Sequence, residues 1–261
     1  MRLSTLITRA LGAILLYIPT SLAAEGRLAK LQTPHSTPTT YGILLFPAFE
    51  MLDIYGPLEA LSLLALRTHL NLHVIAETLD PVSPAPKPSA NRFNSSFYPP
   101  MIPTHTFATA PDLDVLLVPG GVGTAYYGES LNRTIAYIAA AYPKVQYLLT
   151  VCTGSALASR AGILDGRRAT TNKASWRDVT ANQAGINNTV DWVPKARWVV
   201  DGNVWTSSGI SAGIDATLAF IEAVYGRENA TWVSNIMEFE RNEDAEHDPF
   251  AEIWDVPGWD A

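Results

Sequence analysis

The sequence predicts one α/β domain built on a mainly parallel central sheet. Three observations predict this class. Short apolar segments alternate with amphipathic ones along the chain, the segment "VLLV" at 115–118 is apolar at every position, and glycines follow the apolar segments 115–118 and 147–151 within three residues. A run without alternation is typical of a strand that is buried on both faces of a parallel sheet.

In the first half of the chain, "YGILLF" at 41–46 predicts the first strand. Gly56-Pro57 predicts the start of a helix that continues to about Leu66, since proline suits the first helical turn. "LNLHVIAE" predicts a second strand and "VLLV" a third. The segment 79–100 between them is rich in proline, serine and asparagine, which predicts turns and irregular strands at the surface.

In the second half, a helical pattern at 131–141 precedes a strand at 147–151 and a helix at 155–161. "ARWVV" and "NVWTS" flank Asp201-Gly202, a dipeptide that indicates a two-residue hairpin. The remaining predicted elements are a short helix near Trp176 and helices at about 212–225 and 230–239.

Composition and charge describe a globular chain. The 261 residues are 48% hydrophobic and 16% charged, which provides enough apolar material for a large core. The net charge of -7 arises after Arg241, where seven acidic residues and no lysine or arginine occur. The body lacks a basic footprint, so we expect no nucleic-acid partner. We predict a signal peptide at 1–24, a linker at 25–40, the folded domain at 41–240 and an acidic C-terminal tail at 241–261.

The N-terminus is typical of an export signal. Residues 11–22 are apolar but too short to span a bilayer, and the small residues Ser21 and Ala23 suit cleavage. The alternative is a buried N-terminal helix. Four Asn-x-Ser/Thr sequons agree with export and lie at Asn94, Asn132, Asn187 and Asn229. We therefore predict a secreted glycoprotein that is not bound to a membrane after cleavage.

Cys152 is the only cysteine in the chain, so it forms no intrachain disulfide. It is either an inert core thiol or a reactive one. It follows the apolar run 147–151 and directly precedes a predicted helix, so we expect its side chain to stand free of the sheet on a sharp turn. The start of a helix favours the thiolate at such a position.

Two other segments end at the same edge of the predicted sheet. Asp53 follows the first strand, and Gly120 and Gly121 follow the strand at 115–118. Ligands of parallel sheets bind at the carboxyl ends of the strands. The glycines allow close approach of a ligand and offer N–H donors to an anion. Asp53 is alternatively the N-cap of the helix that follows it.

These motifs resemble one family. "VPGG" followed by "VCTGSALASRAGILDGRRATT" is similar to the ThiJ/PfpI superfamily of class I glutamine amidotransferase-like proteins. "FPAFEMLDIYGPLEAL" and "SSGISAGIDATLAFIEAVYG" are similar to its isonitrile hydratase branch, and the likeness covers about residues 41–240. It implies a flavodoxin-like three-layer sandwich with a nucleophile-elbow cysteine, in a secreted member of fungal type. Family members are commonly dimers, so it also implies a homodimer.

The resemblance implies that Cys152 is the nucleophile and that Asp53 is the catalytic carboxyl. The residues expected to bind a substrate or anion are Gly120, Gly121, Thr153, Gly209, Ile210 and Trp176. Thr153 has the alternative role of a helix cap, and Trp176 the alternative of a core residue.

One segment departs from the family pattern. Hydratases of this branch read "ATTHW" after the elbow helix, whereas this chain reads "ATTNKASW" at 169–176 and lacks the histidine. Lys173 is a candidate replacement as a cation in the pocket, but Asn172-Lys173 is more typical of a solvated turn. None of the five histidines matches a catalytic position of the family.

Protease-like and glyoxalase-like relatives carry a histidine directly after the nucleophile, where this chain has Thr153, and the lack of that histidine decides between reaction classes. Amide hydrolysis by a thiol needs acid-base help to expel a poor leaving group, whereas isonitrile hydration needs a thiol and a carboxyl that carries a proton. We predict an isonitrile hydratase-like hydro-lyase for a small-molecule substrate. We expect no metal and no other cofactor, since one cysteine and scattered histidines have no ligand spacing. The alternatives are a glyoxalase- or deglycase-like activity on small carbonyls, and a non-catalytic ligand-binding or redox-sensing protein.

Overall fold

The computed structural model describes residues 36–181 and 189–260. The predicted signal peptide, most of the predicted linker and the sequon at Asn187 lie outside the described residues. The strands are β1 (Thr40–Leu44), β2 (Asn71–Ala76), β3 (His105–Thr106), β4 (Val115–Val118), β5 (Tyr147–Thr150), β6 (Arg168–Ala169), β7 (Asp191–Trp192), β8 (Trp198–Asp201) and β9 (Val204–Ser207). The helices are α1 (Met51–Leu64), α2 (Gly123–Tyr126), α3 (Asn132–Ala141), α4 (Gly154–Arg160), α5 (Trp176–Ala181), α6 (Ala212–Tyr225), α7 (Arg227–Ile236) and α8 (Phe250–Ile253), with 3-10 turns at Gly128–Leu131 and Tyr142–Lys144.

The central sheet is mainly parallel, as predicted. Over residues 36–181 and 189–260, seven strands follow the order β3-β2-β1-β4-β5-β9-β8. All neighbours pair in parallel except β8 and β9, which form an antiparallel hairpin around Gly202 and Asn203. Helices α1, α6 and α7 pack together, as do α3 and α4. The two groups and the sheet form the three layers of a flavodoxin-like sandwich, which confirms the predicted fold class.

The sheet positions the candidate residues at one edge. The chain leaves β1 towards β2 on one side and later enters β4 on the other side, so the topology switches between β1 and β4. Asp53 follows β1, Gly120 follows β4 and Cys152 follows β5. These three parallel strands are neighbours, so their carboxyl ends bring the three residues together at the switch point.

One helix start differs from the prediction. Helix α1 begins at Met51 rather than at Gly56-Pro57, and Pro57 lies inside it. The helix continues past the proline because Ile54, Pro57 and Leu61 are buried and pack its inner face against the core. Pro57 lacks the N–H that would bond the carbonyl oxygen of Asp53 four residues earlier. Tertiary packing therefore overrides the boundary signal and places Asp53 in the first turn of the helix.

The last twenty described residues, 241–260, are termed the C-terminal segment below. This segment is docked on the domain: the N–H of Asn242 donates to Oδ1 of Asp215 at 2.8 Å, and the N–H of Arg197 donates to the carbonyl of Ala245 at 2.8 Å. Ala251 and Val256 are buried. The predicted acidic tail is thus part of the packed structure. In the described part of the chain, no helix has the length and apolar character needed to cross a bilayer.

Candidate active site

Cys152 lies on a sharp turn between β5 and α4, as the sequence predicts. Its backbone has a positive φ of 59°, which is rare for a residue with a side chain. Its N–H donates to the carbonyl of Ser208 at 3.0 Å. Its own carbonyl accepts hydrogen bonds from the hydroxyls of Ser155 at 3.1 Å and Thr171 at 3.2 Å. Three flanking segments therefore hold the strained turn in place.

The thiol of Cys152 is buried and surrounded by polar groups. Burial raises its pKa, and the neighbouring Asp53 carboxylate raises it further. The backbone N–H groups of Ile210 and Thr153 and the side-chain amide of Asn172 hydrogen-bond the sulfur and lower the pKa. The net effect of these groups is a raised pKa, which favours the neutral thiol. Burial and the Asp53 charge thus oppose the thiolate that the start of the short helix α4 was expected to favour.

Asp53 is completely buried in the first turn of α1. Its Oδ2 accepts the N–H of Gly120 at 2.8 Å, whereas its Oδ1 is buried and has no hydrogen-bond partner within residues 36–181 and 189–260. The carboxyl and the thiol of Cys152 are close enough for each to shift the pKa of the other. Burial raises the pKa of Asp53 to about 7, and the charge of Glu50 adds to this effect. The carboxylate faces other segments, not the N–H groups of its own helix, so the interpretation of Asp53 as an N-cap is wrong.

Gly120 and Gly121 build the site in a way that the sequence did not indicate. The N–H of Gly120 is occupied by Asp53, and that of Gly121 donates to Oγ1 of Thr153 at 3.0 Å. A Cβ at Gly120 would lie 2.5 Å from the backbone nitrogen of Thr153 and 3.0 Å from Oδ2 of Asp53. Glycine therefore lets the carboxylate and the elbow approach each other. Both N–H groups are thus engaged within the protein, and their role as donors to a bound anion stays a prediction.

Cys152 opens onto a cavity of about 620 Å³, which suits a small molecule. Gly121, Thr153 and Ile210 line this cavity, as predicted, and its charged residues are Glu50, Arg160 and Asp178. Across residues 36–181 and 189–260, no histidine lines it. Over the same residues, no three His, Cys, Asp or Glu side chains converge as a metal site.

Asn172 is a site residue that the sequence reasoning missed. Its Oδ1 accepts the N–H of Ser175 at 3.0 Å, so its Nδ2 is the group directed at the thiol of Cys152. Gly209 makes room for this amide, because a Cβ there would lie 2.7 Å from Nδ2. The signal was present in the sequence: Asn172 directly follows Ala-Thr-Thr, where the resembling hydratases have their histidine.

Two predicted roles in the pocket are wrong. Trp176 does not line the cavity; it is buried against Ala251 and Val256 of the C-terminal segment. Lys173 is neither a pocket cation nor part of a solvated turn, since its side chain is buried and paired with Asp248. Both side chains point away from the cavity because the C-terminal segment covers that side of the loop with apolar and acidic groups.

The described sequons lie at the protein surface or close to it. Asn94 is exposed in a turn, and Asn132 is exposed at the first residue of α3. Asn229 is half-buried in α7, where its Nδ2 donates to the carbonyl of Tyr225 at 2.8 Å. Glycosylation of these residues stays a prediction.

Comparisons with known proteins agree with this architecture. The model of the DJ-1/PfpI family matches residues 42–223. An isonitrile hydratase from Pseudomonas putida is 35% identical over 198 residues, which make up 76% of this chain and 77% of that protein. A crystal structure of a ThiJ/PfpI family protein from Pseudomonas syringae superposes with a TM-score of 0.65 at 28% identity, covering 78% of this chain and 76% of that one.

A regulatory protein is also similar in part. The HTH-type transcriptional regulator GbdR of Pseudomonas aeruginosa is 32% identical over 133 residues, or 51% of this chain and 34% of the regulator. The likeness to the hydratase extends further along both chains than the likeness to the regulator. The extent of the family match, together with the thiol on its strained elbow, shows that the chain belongs to the DJ-1/PfpI family.

Proposed function

We propose that this protein is an isonitrile hydratase-like enzyme, which adds water to an isonitrile and releases an N-substituted formamide. The observation that carries the proposal is the position of the buried Asp53 carboxyl beside the Cys152 elbow, where the carboxyl and the thiol each shift the pKa of the other. The 35% identity to the hydratase of Pseudomonas putida supports the substrate class. The cavity of about 620 Å³ provides room for a small isonitrile next to the sulfur.

The first half of the reaction forms a covalent thioimidate. The proton of the Cys152 thiol passes to Asp53, and the sulfur attacks the terminal carbon of the isonitrile. Asp53 then delivers the proton to that carbon. Because burial raises the pKa of Asp53 to about 7, its carboxyl holds a proton near neutral pH long enough to act as the acid. One C–S bond and one C–H bond have formed, and no group has left.

The second half releases the product. Water adds to the thioimidate carbon while Asp53 takes one proton from it and delivers that proton to the nitrogen. The C–S bond then breaks, the hydroxyl oxygen becomes the formamide carbonyl, and its proton restores the thiol. The donors of Thr153, Ile210 and Asn172 stabilise the sulfur anion both when it forms and when it leaves. One carboxyl thus performs each proton transfer, and no histidine is required.

An assay with an alkyl isonitrile tests the proposal. We expect the full chain to convert cyclohexyl isonitrile to N-cyclohexylformamide catalytically, as measured by NMR of the formyl proton. Methylglyoxal is assayed in parallel, as a substrate for the alternative activity on small carbonyls. Formamide formation no faster than in buffer contradicts the proposal; consumption of methylglyoxal alone would instead support the carbonyl activity.

We propose further that the protein follows the secretory route. The support is the pattern at residues 1–24 together with the exposed asparagines of two sequons, Asn94 and Asn132. Expression in a eukaryotic host is expected to yield protein in the medium whose mass falls after treatment with an N-glycosidase. Asn94→Gln and Asn132→Gln should each remove one glycan. Retention of the whole chain inside the cells, with no change in mass, would disprove secretion.

A further inference from the structure

Residues 170–175, which link β6 to α5, are termed the Asn172 loop. Neighbouring side chains of this loop point in opposite directions. Asn172 lines the cavity together with Cys152 and its amide lowers the pKa of the thiol, whereas Lys173 is buried on the other side of the loop. Whatever holds Lys173 therefore also limits the position of the amide next to it.

The buried ammonium group of Lys173 is surrounded by polar partners. Its Nζ donates to Oγ1 of Thr170 at 2.7 Å and to the carbonyls of Ala196 at 2.8 Å and Thr171 at 3.4 Å. It also lies 3.7 Å from Oδ2 of Asp248, and both side chains are 1% exposed. Burial lowers the pKa of Lys173 to about 8, and the charge of Asp248 opposes this effect.

Asp248 belongs to the C-terminal segment. Its Oδ1 accepts the N–H of Phe250 at 3.1 Å at the start of α8. Its Oδ2 has no hydrogen bond within the described ranges 36–181 and 189–260, so the ammonium of Lys173 is the group that compensates it. A buried charge that loses its partner is strongly unfavourable, so removal of either residue should displace the other.

The same face of the segment packs against the end of the Asn172 loop. Trp176, the first residue of α5, is buried against Ala251 and Val256, and the centroid of its ring lies 5.1 Å from Nζ of Lys173. The Lys173–Asp248 ion pair and this apolar contact together hold the Asn172 loop against the C-terminal segment. No part of the segment lines the cavity.

We propose that Lys173 and Asp248 are a positioning pair, through which the C-terminal segment holds the Asn172 amide against the Cys152 thiol. The pair touches neither substrate nor sulfur and acts only through Asn172. The proposal deepens the proposed function, but it is measurable on the thiol itself and needs no turnover. Failure of the isonitrile assay would therefore leave the result below unaffected.

The test is the rate at which iodoacetamide alkylates Cys152 in the full chain at fixed pH. The single cysteine of the sequence makes this signal unambiguous. Asn172→Ala is expected to slow alkylation about tenfold, because one hydrogen bond to the sulfur anion is lost. Asp248→Ala is expected to slow it by a similar factor. In the Asn172→Ala background, Asp248→Ala should add no further loss, because the amide through which the pair acts is already absent.

A matched control is an exposed ion pair that joins α5 to the same segment. Arg177 pairs with Asp255 at 3.4 Å, with side chains 66% and 89% exposed. Arg177→Ala removes this exposed ion pair and should leave the alkylation rate within about twofold of the wild type. The S–H stretching band of the single thiol in the infrared spectrum provides a readout that does not depend on reagent access. It should shift in Asn172→Ala and Asp248→Ala alike, and not in Arg177→Ala.

The outcomes separate positioning from simple stabilisation. A lower melting temperature of Asp248→Ala with an unchanged alkylation rate and S–H band would overturn the proposal, as would losses that add to those of Asn172→Ala. If Asp248→Ala does not fold, Lys173→Met combined with Asp248→Leu replaces the pair by apolar groups that keep the segment docked. That variant should alkylate at nearly the wild-type rate. A rate as low as that of Asn172→Ala would show that the charge of Lys173 acts on the thiol directly, and would also overturn the proposal.

Discussion

Replacement of Cys152 by serine is expected to reduce formamide formation to the uncatalysed rate. The serine hydroxyl is a far weaker nucleophile at neutral pH, so the covalent thioimidate does not form. The substitution keeps the shape of the side chain and the hydrogen bonds that hold the elbow, which are made by backbone groups of Cys152 with Ser208, Ser155 and Thr171. The loss should therefore be one of chemistry and not of structure.

The measurement is the initial rate of formamide production beside a thermal melt monitored by circular dichroism. Cys152→Ala is the matched control, since it removes the polar atom while the backbone stays in the same conformation. We expect both variants to melt within a few degrees of the wild type. A serine variant whose rate stays within about tenfold of the wild type would contradict covalent catalysis by the thiol.

Replacement of Asp53 by asparagine is expected to have the second largest effect. The rate should fall about 10²–10⁴-fold, because the amide cannot carry the proton between sulfur, carbon and water. The hydrogen bond from Gly120 survives, since an asparagine oxygen accepts it as the carboxylate does. The fold around the elbow should accordingly remain intact.

The same variant is expected to be more stable than the wild type above neutral pH. Burial raises the pKa of Asp53 from 3.8 to about 7, so the folded state holds this proton over a pH range in which the unfolded state has lost it. The contribution of Asp53 to stability is therefore favourable at low pH and declines as pH rises from about 4 to about 7. Above that range the buried charge costs on the order of 4 kcal/mol, which asparagine avoids.

Melting temperatures at pH 5 and pH 8 test the sign of this effect. The advantage of Asp53→Asn over the wild type should be larger at the higher pH. Asp215→Asn is the matched control, because Asp215 is equally buried but is paired with Arg197 at 2.6 Å. It should destabilise the protein without lowering the rate per folded molecule. Equal turnover by wild type and Asp53→Asn would exclude Asp53 as the proton carrier.

The α/β class and the edge at which the site lies could be predicted from sequence because they depend on local signals. An all-apolar "VLLV" followed by Pro-Gly-Gly is typical of a short strand buried on both faces, and the strand is observed at Val115–Val118 with every residue buried. The antiparallel hairpin at Gly202 follows from local turn chemistry. The motifs of the family indicated that Cys152 and Asp53 act together. Asp53 follows β1 and Cys152 follows β5, and parallel pairing of both strands with β4 brings their carboxyl ends to one edge.

The start of α1 was not predictable in the same way. Gly56-Pro57 is a correct local signal for a helix start, but burial of the inner face extends the helix back to Met51. That extension converts Asp53 from a candidate cap into a buried carboxyl with a raised pKa. This rise in pKa cannot be predicted from a local stretch of sequence, because the groups that bury Asp53 come from distant segments.

The sequence by itself determined the mainly parallel sheet, the unpaired thiol on its elbow and the absence of the family histidine after "ATT". Only the tertiary structure decided that Asn172 faces the thiol, that the N–H groups of Gly120 and Gly121 are already occupied, and that Lys173 is paired with Asp248. The physical reason is the range of the interactions involved. Periodicity and turn chemistry act between near neighbours in the chain, whereas burial and ion pairing depend on residues that only the fold brings into contact.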